Sequence, residues 1–398
     1  MSLTDTPRAN RLHIGIFGKR NSGKSSLINA LTGQDIALVS DVAGTTTDPV
    51  YKSMEIYGIG PCVFIDTAGF DDTGELGKMR VEKTLQAAEK TDIALLVFSD
   101  DDDLEEEKKW IDFFSNRDTP VIAVLNKADI LSDPRGMAEK IHRECGLEPI
   151  IVSAGGKTGI GEIRAAIIEL LPEDYEVKSI TGKFAGEGDL VLLVMPQDIQ
   201  APKGRLILPQ VQTLRDLLDK KCVVMSVTTD KLDQALNELA RPPELIITDS
   251  QVFKTVYDKK PKESRLTSFS VLFAGYKGDI NYYMESVKAI DKLTEDSRVL
   301  IAEACTHAPL AEDIGREKIP RMLRKRVGEK LTVDVVSGSD FPEDLSEYDL
   351  VIQCGACMFN RKYVLSRIEK ARSQGVPMSN YGVVIAYLSG ILDKIDYN

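Results

Sequence analysis

The first residues with an evident chemistry are those of GKRNSGKS, residues 18–25. The pattern G-x-x-x-x-G-K-S is typical of a loop whose backbone N–H groups surround the phosphates of a nucleotide. Lys24 is predicted to reach the β- and γ-phosphates, and the Ser25 hydroxyl is predicted to bind Mg²⁺. The other predicted phosphate contacts come from the same stretch: Gly18, Asn21, Ser22, Gly23 and Ser26.

A second motif, DTAG at residues 66–69, adds further groups for phosphate chemistry. Asp66 is predicted to hold Mg²⁺ through a water molecule, and the Gly69 N–H is predicted to sense the γ-phosphate. Phe70 follows the motif, where many such sites have a Gln nearby that orients the attacking water. We therefore expect slow hydrolysis, with Glu75 as a candidate for orienting the water.

Two later motifs, NKAD at 126–129 and SAGG at 153–156, indicate the base. The carboxylate of Asp129 can accept hydrogen bonds from guanine N1–H and from its 2-amino group, and adenine offers neither donor. The N–H of Ala154 can meet guanine O6. Order and spacing therefore predict a guanine-nucleotide site, with base contacts from Asn126, Lys127, Asp129, Ser153 and Ala154.

A separate set of chemical residues consists of a C-x-H, Cys305 and His307, and a C-x-x-C, Cys354 and Cys357. Each pair follows a predicted strand, and ligands bind beyond the carboxyl ends of parallel strands, so we expect both pairs on one rim. A helix predicted to begin at the C-x-x-C would lower the pKa of its thiols. The Gly-rich stretch 273–279, predicted to follow a strand, is expected to wall the same crevice. Such ligands suit Zn²⁺ or an iron–sulfur cluster equally well, and buried thiols without metal are the alternative.

Alternating strands and helices must position all these residues. The predicted fold class is α/β, with three consecutive α/β units, the first a P-loop GTPase fold with a mostly parallel sheet. Two apolar stretches of the third unit, 268–279 and 376–390, are each predicted to contain a strand. The predicted domains are a nucleotide domain, a motif-poor middle domain and a cysteine-bearing domain, at 1–175, 176–264 and 265–398.

The composition narrows the function classes. The 398 residues carry a net charge of −12, which argues against broad nucleic-acid binding. No apolar run reaches the roughly 18–20 residues that span a bilayer, and the first residues lack an apolar signal core, so we expect a cytoplasmic protein without a membrane partner. Disulfides are then not expected. The remaining cysteines and histidines are expected to be structural: Cys62, Cys145, Cys222, His13 and His142.

Residues 11–172 resemble the Era and tRNA-modification class of GTPases. AGTTTD, residues 43–48, resembles the switch I segment of that class. The resemblance implies that Thr46 binds Mg²⁺ in the triphosphate state, with its neighbouring threonines as alternatives. It also implies that Asn21 holds an activating K⁺, which would do the electrostatic work of an arginine finger.

Nearly the whole chain resembles the HydF family, the [FeFe]-hydrogenase maturation GTPases. The likeness is carried by ELGKMRVEKT (75–84), EACTHAP (303–309) and IQCGACM (352–358). The resemblance implies a scaffold that carries the di-iron subcluster precursor to apo-[FeFe]-hydrogenase. It further implies a homodimer formed by the middle domain, and two radical-SAM maturases as partners.

The same resemblance implies a [4Fe–4S] cluster on Cys305, Cys354 and Cys357. Many relatives have His directly before the C-x-x-C, and this chain has Gln353 there. His307 is then the candidate fourth ligand, with an exchangeable or external ligand as the alternative. Two other functions stay open: an RNA-modification or ribosome-assembly GTPase, and a zinc-stabilised regulatory GTPase without a role in metal transfer.

Overall fold

The structure is a computed structural model that describes residues 7–33, 49–56, 59–69, 74–99, 103–171, 179–196, 206–304 and 313–397. The chain divides into two compact units, residues 1–175 and 176–398. Among the described residues, no helix is long and apolar enough to cross a membrane. Predicted site residues that lie outside the described ranges are Thr46, Cys305 and His307.

The first unit is built on a six-stranded sheet in the order β2-β3-β1-β4-β5-β6. Only β2 runs antiparallel to its neighbour β3, and the other pairs are parallel. The strands are β1 Leu12–Gly18, β2 Val50–Ile56, β3 Gly60–Asp66, β4 Ile93–Phe98, β5 Val121–Leu125 and β6 Ile150–Ile151. The helices are α1 Lys24–Thr32, α2 Gly74–Ala88, α3 Glu105–Ser115, α4 Pro134–Cys145 and α5 Ile160–Glu169.

Helices cover both faces of this sheet, which explains why its central strands are continuously apolar. All seven residues of β1 are buried. Side chains on its two faces belong to separate core clusters, one containing Ile14 and Ile16 and the other Phe17. The carboxyl ends of β1, β3 and β5 therefore meet along one edge, where the predicted nucleotide motifs begin.

The second unit contains two four-stranded, all-parallel sheets, ordered β10-β9-β7-β8 and β12-β11-β13-β14. The first of these comprises β7 Leu190–Val194, β8 Val223–Val227, β9 Leu245–Thr248 and β10 Arg265–Ser268, with helices α6 Leu208–Asp219, α7 Leu232–Glu238 and α8 Phe253–Lys259. The other comprises β11 Arg298–Glu303, β12 Thr332–Ser337, β13 Leu350–Gln353 and β14 Met378–Asn380. The remaining helices are α9 Phe269–Lys277, α10 Ile280–Ser286, α11 Ile319–Val327, α12 Arg361–Ser373 and α13 Tyr381–Leu388. Three α/β sheets in sequence confirm the predicted fold class.

Two apolar stretches predicted to contain strands are mostly helical, and only Met378–Asn380 of the second forms a strand, β14. The Ser268 side chain accepts the Val271 N–H and starts α9, and the Asn380 side chain accepts the Gly382 N–H and starts α13. Most residues of both helices are buried. A helix that is buried all round loses the 3.6-residue polar pattern, so its sequence reads like that of a buried strand.

Candidate functional site

The phosphate loop joins β1 to α1 and needs glycine at both of its motif positions. Gly18 has a φ of +153° and Gly23 a φ of +90°. A Cβ on Gly18 would lie 2.5 Å from the Val97 carbonyl oxygen, and one on Gly23 would lie 2.3 Å from Nδ2 of Asn126. Backbone conformation and close packing therefore both exclude a side chain at these positions.

Lys24 and Ser25, the first residues of α1, carry the polar groups of this loop. Lys24 is buried, and its ammonium donates to the carbonyls of Gly18 at 2.9 Å and Lys19 at 2.7 Å. The Ser25 hydroxyl donates to Asp66 at 2.7 Å. Burial raises the pKa of Asp66, while the Ser25 hydrogen bond and the Lys24 charge oppose the rise.

Asn126 connects the base-recognition segments to the phosphate loop. Its Nδ2 donates to the Ser22 carbonyl at 2.9 Å, and its Oδ1 accepts the Ala154 N–H at 3.1 Å. The Ala128 N–H donates to the Val152 carbonyl at 3.0 Å, which holds the two segments side by side. The structure thus brings NKAD, SAGG and the phosphate loop together.

The remaining predicted nucleotide residues surround this arrangement. Asp129 is exposed, so its carboxylate is accessible to a ligand. Gly69 is buried just after β3, and Ser153 accepts the Gly156 N–H at 2.9 Å. Asn21 is exposed with a φ of +58°, and Lys127 has a φ of +62°. Glu75 lies in α2, and Ser26 follows Ser25 in α1.

The C-x-x-C lies at the carboxyl edge of the third sheet. Cys354 follows β13 directly, and its Sγ accepts the N–H groups of Ala304 at 3.1 Å and Ala356 at 3.4 Å. Ala304 ends the described part of the β11 segment and immediately precedes Cys305. Ala302 of β11 pairs with Gln353 of β13, so the carboxyl ends of these two strands are adjacent.

The prediction that a helix begins at the C-x-x-C is wrong. The helix α12 begins at Arg361, where the Asn360 side chain accepts the Tyr363 N–H at 3.2 Å. Instead of a helix N-terminus lowering the thiol pKa, burial raises the pKa of Cys354 to about 11. Within the described residues, which exclude Cys305, no three His, Cys, Asp or Glu side chains are grouped so that they could hold a metal.

A buried lysine supports the C-x-x-C loop from behind. Lys277 ends α9, and its ammonium donates to the carbonyls of Ala356 at 3.3 Å, Cys357 at 3.2 Å and Phe359 at 2.5 Å. Burial lowers the pKa of Lys277 to about 8, although the neighbouring thiols of Cys357 and Cys354 oppose this shift. Lys277 belongs to the Gly-rich stretch 273–279, which was expected beside this crevice after a strand. The structure places Lys277 at the end of a helix instead.

An ion pair joins the end of β11 to the turn at 314–318. Glu303 is buried and accepts hydrogen bonds from Nε of Arg316 at 3.2 Å and from its Nη2 at 3.1 Å. The same carboxylate accepts the Tyr381 hydroxyl at 3.4 Å. This network holds the segments on either side of residues 305–312 in one place.

Three protein-family models match separate parts of this chain. Residues 180–278 match the hydrogen maturase F dimerization domain, and residues 281–395 match the hydrogen maturase F tetramerization domain. Residues 13–127 match the 50S ribosome-binding GTPase. The chain belongs to the hydrogen maturase F family. This assignment confirms the resemblance inferred from sequence, and it gives the second unit the domains by which the family forms oligomers.

The GTPase part of this hydrogen maturase F chain also resembles other GTPases. It is 37% identical over 161 residues to the tRNA modification GTPase MnmE of Chromobacterium violaceum, covering 40% of this chain and 35% of that protein. It is 48% identical over 130 residues to the GTPase Der of Wolinella succinogenes, covering 30% of this chain and 26% of that protein. The chain therefore matches about a third or less of the length of these relatives.

Among solved structures, Aquifex aeolicus Era bound to GDP·AlF4⁻ matches with a TM-score of 0.37 and 20% identity, over 57% of this chain and 98% of that chain. NFeoB from S. thermophilus bound to GDP·AlF4⁻ and K⁺ matches with a TM-score of 0.33 and 22% identity, over 41% of this chain and 64% of that chain.

Sequence reasoning missed several residues at both sites of this hydrogen maturase F chain. Thr67, inside DTAG, is buried and donates to the Ile16 carbonyl at 2.6 Å, so it fixes the motif to β1. Lys277, Glu303 and Arg316 support the C-x-x-C edge. Their separation along the chain gives no motif, and the one signal in the sequence was a lysine, Lys277, that closely follows an apolar run.

Proposed function

We propose that this protein binds and hydrolyses GTP, and that it acts as a scaffold and carrier for the di-iron subcluster precursor of [FeFe]-hydrogenase. Membership of the hydrogen maturase F family supports the maturation role. The phosphate loop, the DTAG segment and the Asn126 hydrogen bonds support the nucleotide role.

The residues around Ser25 fit a magnesium site. Mg²⁺ prefers oxygen ligands, and the Ser25 hydroxyl lies beside the Asp66 carboxylate. The Oδ1 atom of Asp66 is buried and has no hydrogen-bond partner within the described part of the chain, so it can accept a metal-bound water. Ser25 and Thr46 would then bind the ion directly, with Asp66 acting through water.

Hydrolysis in this proposal rests on electrostatic stabilisation by fixed groups. Lys24 would neutralise charge on the β- and γ-phosphates, and the Gly69 N–H would contact the γ-phosphate. A K⁺ ion on Asn21 would add positive charge at the same place, and Glu75 would orient the attacking water. Slow turnover, stimulated by K⁺, is the expected behaviour.

The C-x-x-C edge fits an iron–sulfur cluster. The observation that carries this part is the hydrogen bond from the Ala304 N–H to Cys354 Sγ, because it puts the residue before Cys305 against the first cysteine of the C-x-x-C. N–H groups directed at sulfur stabilise a thiolate and are a common influence on cluster potential. Cys305, Cys354 and Cys357 would hold a [4Fe–4S] cluster, with His307 as a candidate fourth ligand. The bound cluster would supply one-electron redox chemistry and an iron site at this edge.

The partners in this proposal are a second copy of the chain, two radical-SAM maturases and apo-[FeFe]-hydrogenase. The dimerization and tetramerization family models support self-association. GTP hydrolysis would regulate encounters with the other proteins by changing the switch segments, rather than drive the metal chemistry directly.

Anaerobic reconstitution of the full chain with ferrous iron and sulfide tests the cluster. We expect a brown protein with iron and sulfide in equal amounts, and a large loss of both in Cys354→Ala. Cys222→Ala is the matched control, because Cys222 is a buried thiol whose Sγ contacts the Gly186 carbonyl at 3.2 Å in the other sheet of the unit. A colourless wild-type protein that binds zinc instead would contradict the proposal.

A further inference from the structure

Two buried cations lie against the loop that carries the C-x-x-C, residues 354–359. Lys277 in α9 and Arg367 in α12 are each only 2% exposed. Lysine and arginine are rarely buried to this degree unless an anion compensates their charge. The predicted nucleotide site lies in the first unit, so it does not explain why these two cations are buried in the second unit.

The contacts of Lys277 match a charged ammonium. An ammonium has three N–H donors, and the Lys277 Nζ lies within hydrogen-bond distance of three loop carbonyls, those of Ala356, Cys357 and Phe359. These carbonyls are dipoles and not anions, so they solvate the charge without neutralising it. The positive charge stays directly behind the loop backbone.

Arg367 sits in a cage of three aromatic rings. Its Cζ lies 4.7 Å from the ring centre of Phe341, 4.5 Å from that of Phe359 and 4.7 Å from that of Tyr363. Its Nη2 donates to the Gly338 carbonyl and to the Tyr363 hydroxyl at 3.3 Å, while Nε and Nη1 have no hydrogen-bond partner among the described residues. A guanidinium cannot lose its proton in a protein, so this charge is permanent.

No carboxylate of the described ranges forms an ion pair with either cation. Glu303, the buried carboxylate at the end of β11, is already paired with Arg316. Burying a charge without a counter-ion is costly, and here two buried cations both contact Phe359 of the same loop. The sites of opposite charge available at this loop are the sulfurs of Cys354 and Cys357, which bear a negative charge once they are thiolates.

We propose that Lys277 and Arg367 are the counter-charges of a thiolate-bound cluster on the Cys354–Cys357 loop, and that they set its reduction potential. The inference rests on the proposed cluster function. A one-electron reduction adds one negative charge to a thiolate-bound cluster. Fixed positive charges nearby favour the reduced form and so raise the potential, which depends on net charge and on hydrogen bonding. Lys277 and Arg367 act in this role through their charge alone, and neither binds iron.

The test is a redox titration of the reconstituted full chain, with dithionite as reductant and electron paramagnetic resonance of the reduced cluster as readout. We expect Lys277→Met and Arg367→Met each to move the midpoint potential to a more negative value. The expected size is a change of about tenfold in the reduction equilibrium, equal to about 59 mV for a one-electron couple. Arg367→Lys keeps the charge and is expected to restore most of the potential.

Lys330→Met is the matched control, since it removes the same charge at the opposite, amino-terminal edge of this sheet, just before β12. Its potential is expected to equal that of the wild type. If Lys277→Met fails to fold, Arg367→Met decides the question, because methionine fits an aromatic cage. Unchanged potentials in folded, iron-loaded Arg367→Met and Lys277→Met would overturn the inference and leave the cluster proposal standing. A wild-type protein that takes up no iron would instead overturn the cluster proposal and the inference with it.

Discussion

At Gly23, both the backbone conformation and a close contact with Asn126 are expected to matter for nucleotide binding. Gly23→Ala would place a methyl group on a φ of +90° and within 2.3 Å of the Asn126 amide. The amide would have to leave the Ser22 carbonyl, so the phosphate loop and the base segment would separate. We expect GDP affinity, measured by titration with a fluorescent analogue, to fall at least about tenfold, or about 1.4 kcal/mol.

Gly33→Ala is the control for this substitution, because Gly33 stands at the other end of α1. Its φ is +69°, but no atom lies within 4 Å of the added Cβ. We expect a loss of about 1 kcal/mol in stability from the left-handed backbone and unchanged GDP affinity. Equal affinity losses in both variants would show that strain in α1, and not the contact with Asn126, controls nucleotide binding.

Asn21 offers a second test at the residue scale. Its exposed side chain follows a left-handed backbone in the phosphate loop, and we expect it to hold K⁺. GTP turnover in KCl should exceed turnover in NaCl at equal ionic strength by at least about tenfold. Asn21→Gly, which suits the backbone and removes the amide, should abolish the difference. Equal wild-type rates in the two salts would contradict the K⁺ role.

The sequence predicts residues of short motifs much better than residues that act through packing between distant segments. The phosphate loop, DTAG, NKAD and SAGG were predicted because each motif needs residues at fixed spacing on one turn. Lys277 and Arg367 were not predicted, because their function depends on α9 and α12 packing against a loop that is distant in sequence. A lone buried Lys or Arg has no spacing to recognise.

At the scale of elements, the Glu303–Arg316 ion pair links the end of β11 to the turn before α11. Glu303→Gln keeps the shape but removes the charge, so the Arg316 guanidinium loses its anionic partner and keeps the hydrogen bond to Ser337 Oγ at 3.1 Å. We expect a loss of about 2 kcal/mol in local stability, seen as faster hydrogen exchange of the β11 amides in the full chain. Glu347→Gln breaks an exposed pair with Arg298 and should change exchange by less than about 0.5 kcal/mol. Equal effects of the two substitutions would mean that the half-buried Glu303–Arg316 pair does not fix this edge.

Element types were predicted well wherever one face of the element meets solvent or where strands alternate with amphipathic helices. The apolar helices α9 and α13 were wrongly predicted as strands, because burial on most sides removes the polar face that marks a helix. Their true starts, the capping side chains of Ser268 and Asn380, were visible in the sequence. Both residues stand directly before the apolar run, as helix-capping residues do.

At the scale of the whole molecule, the nucleotide site and the C-x-x-C belong to different compact units. The first unit has the motifs of a GTPase, and the second has the two oligomerisation domains of the hydrogen maturase F family. This division fits a protein in which the nucleotide regulates encounters and the metal chemistry proceeds elsewhere. In the proposed function, metal assembled at the second unit is delivered to another protein.

The most direct measurement is hydrogen evolution by apo-[FeFe]-hydrogenase after incubation with this protein purified from cells that also make the two radical-SAM maturases. We expect activation by the wild type, loss of nearly all activation by Cys354→Ala, and full activation by Cys222→Ala. Activation by Cys354→Ala at the wild-type level would contradict delivery from the C-x-x-C edge. Failure of the wild-type protein to activate the hydrogenase would contradict the carrier role itself.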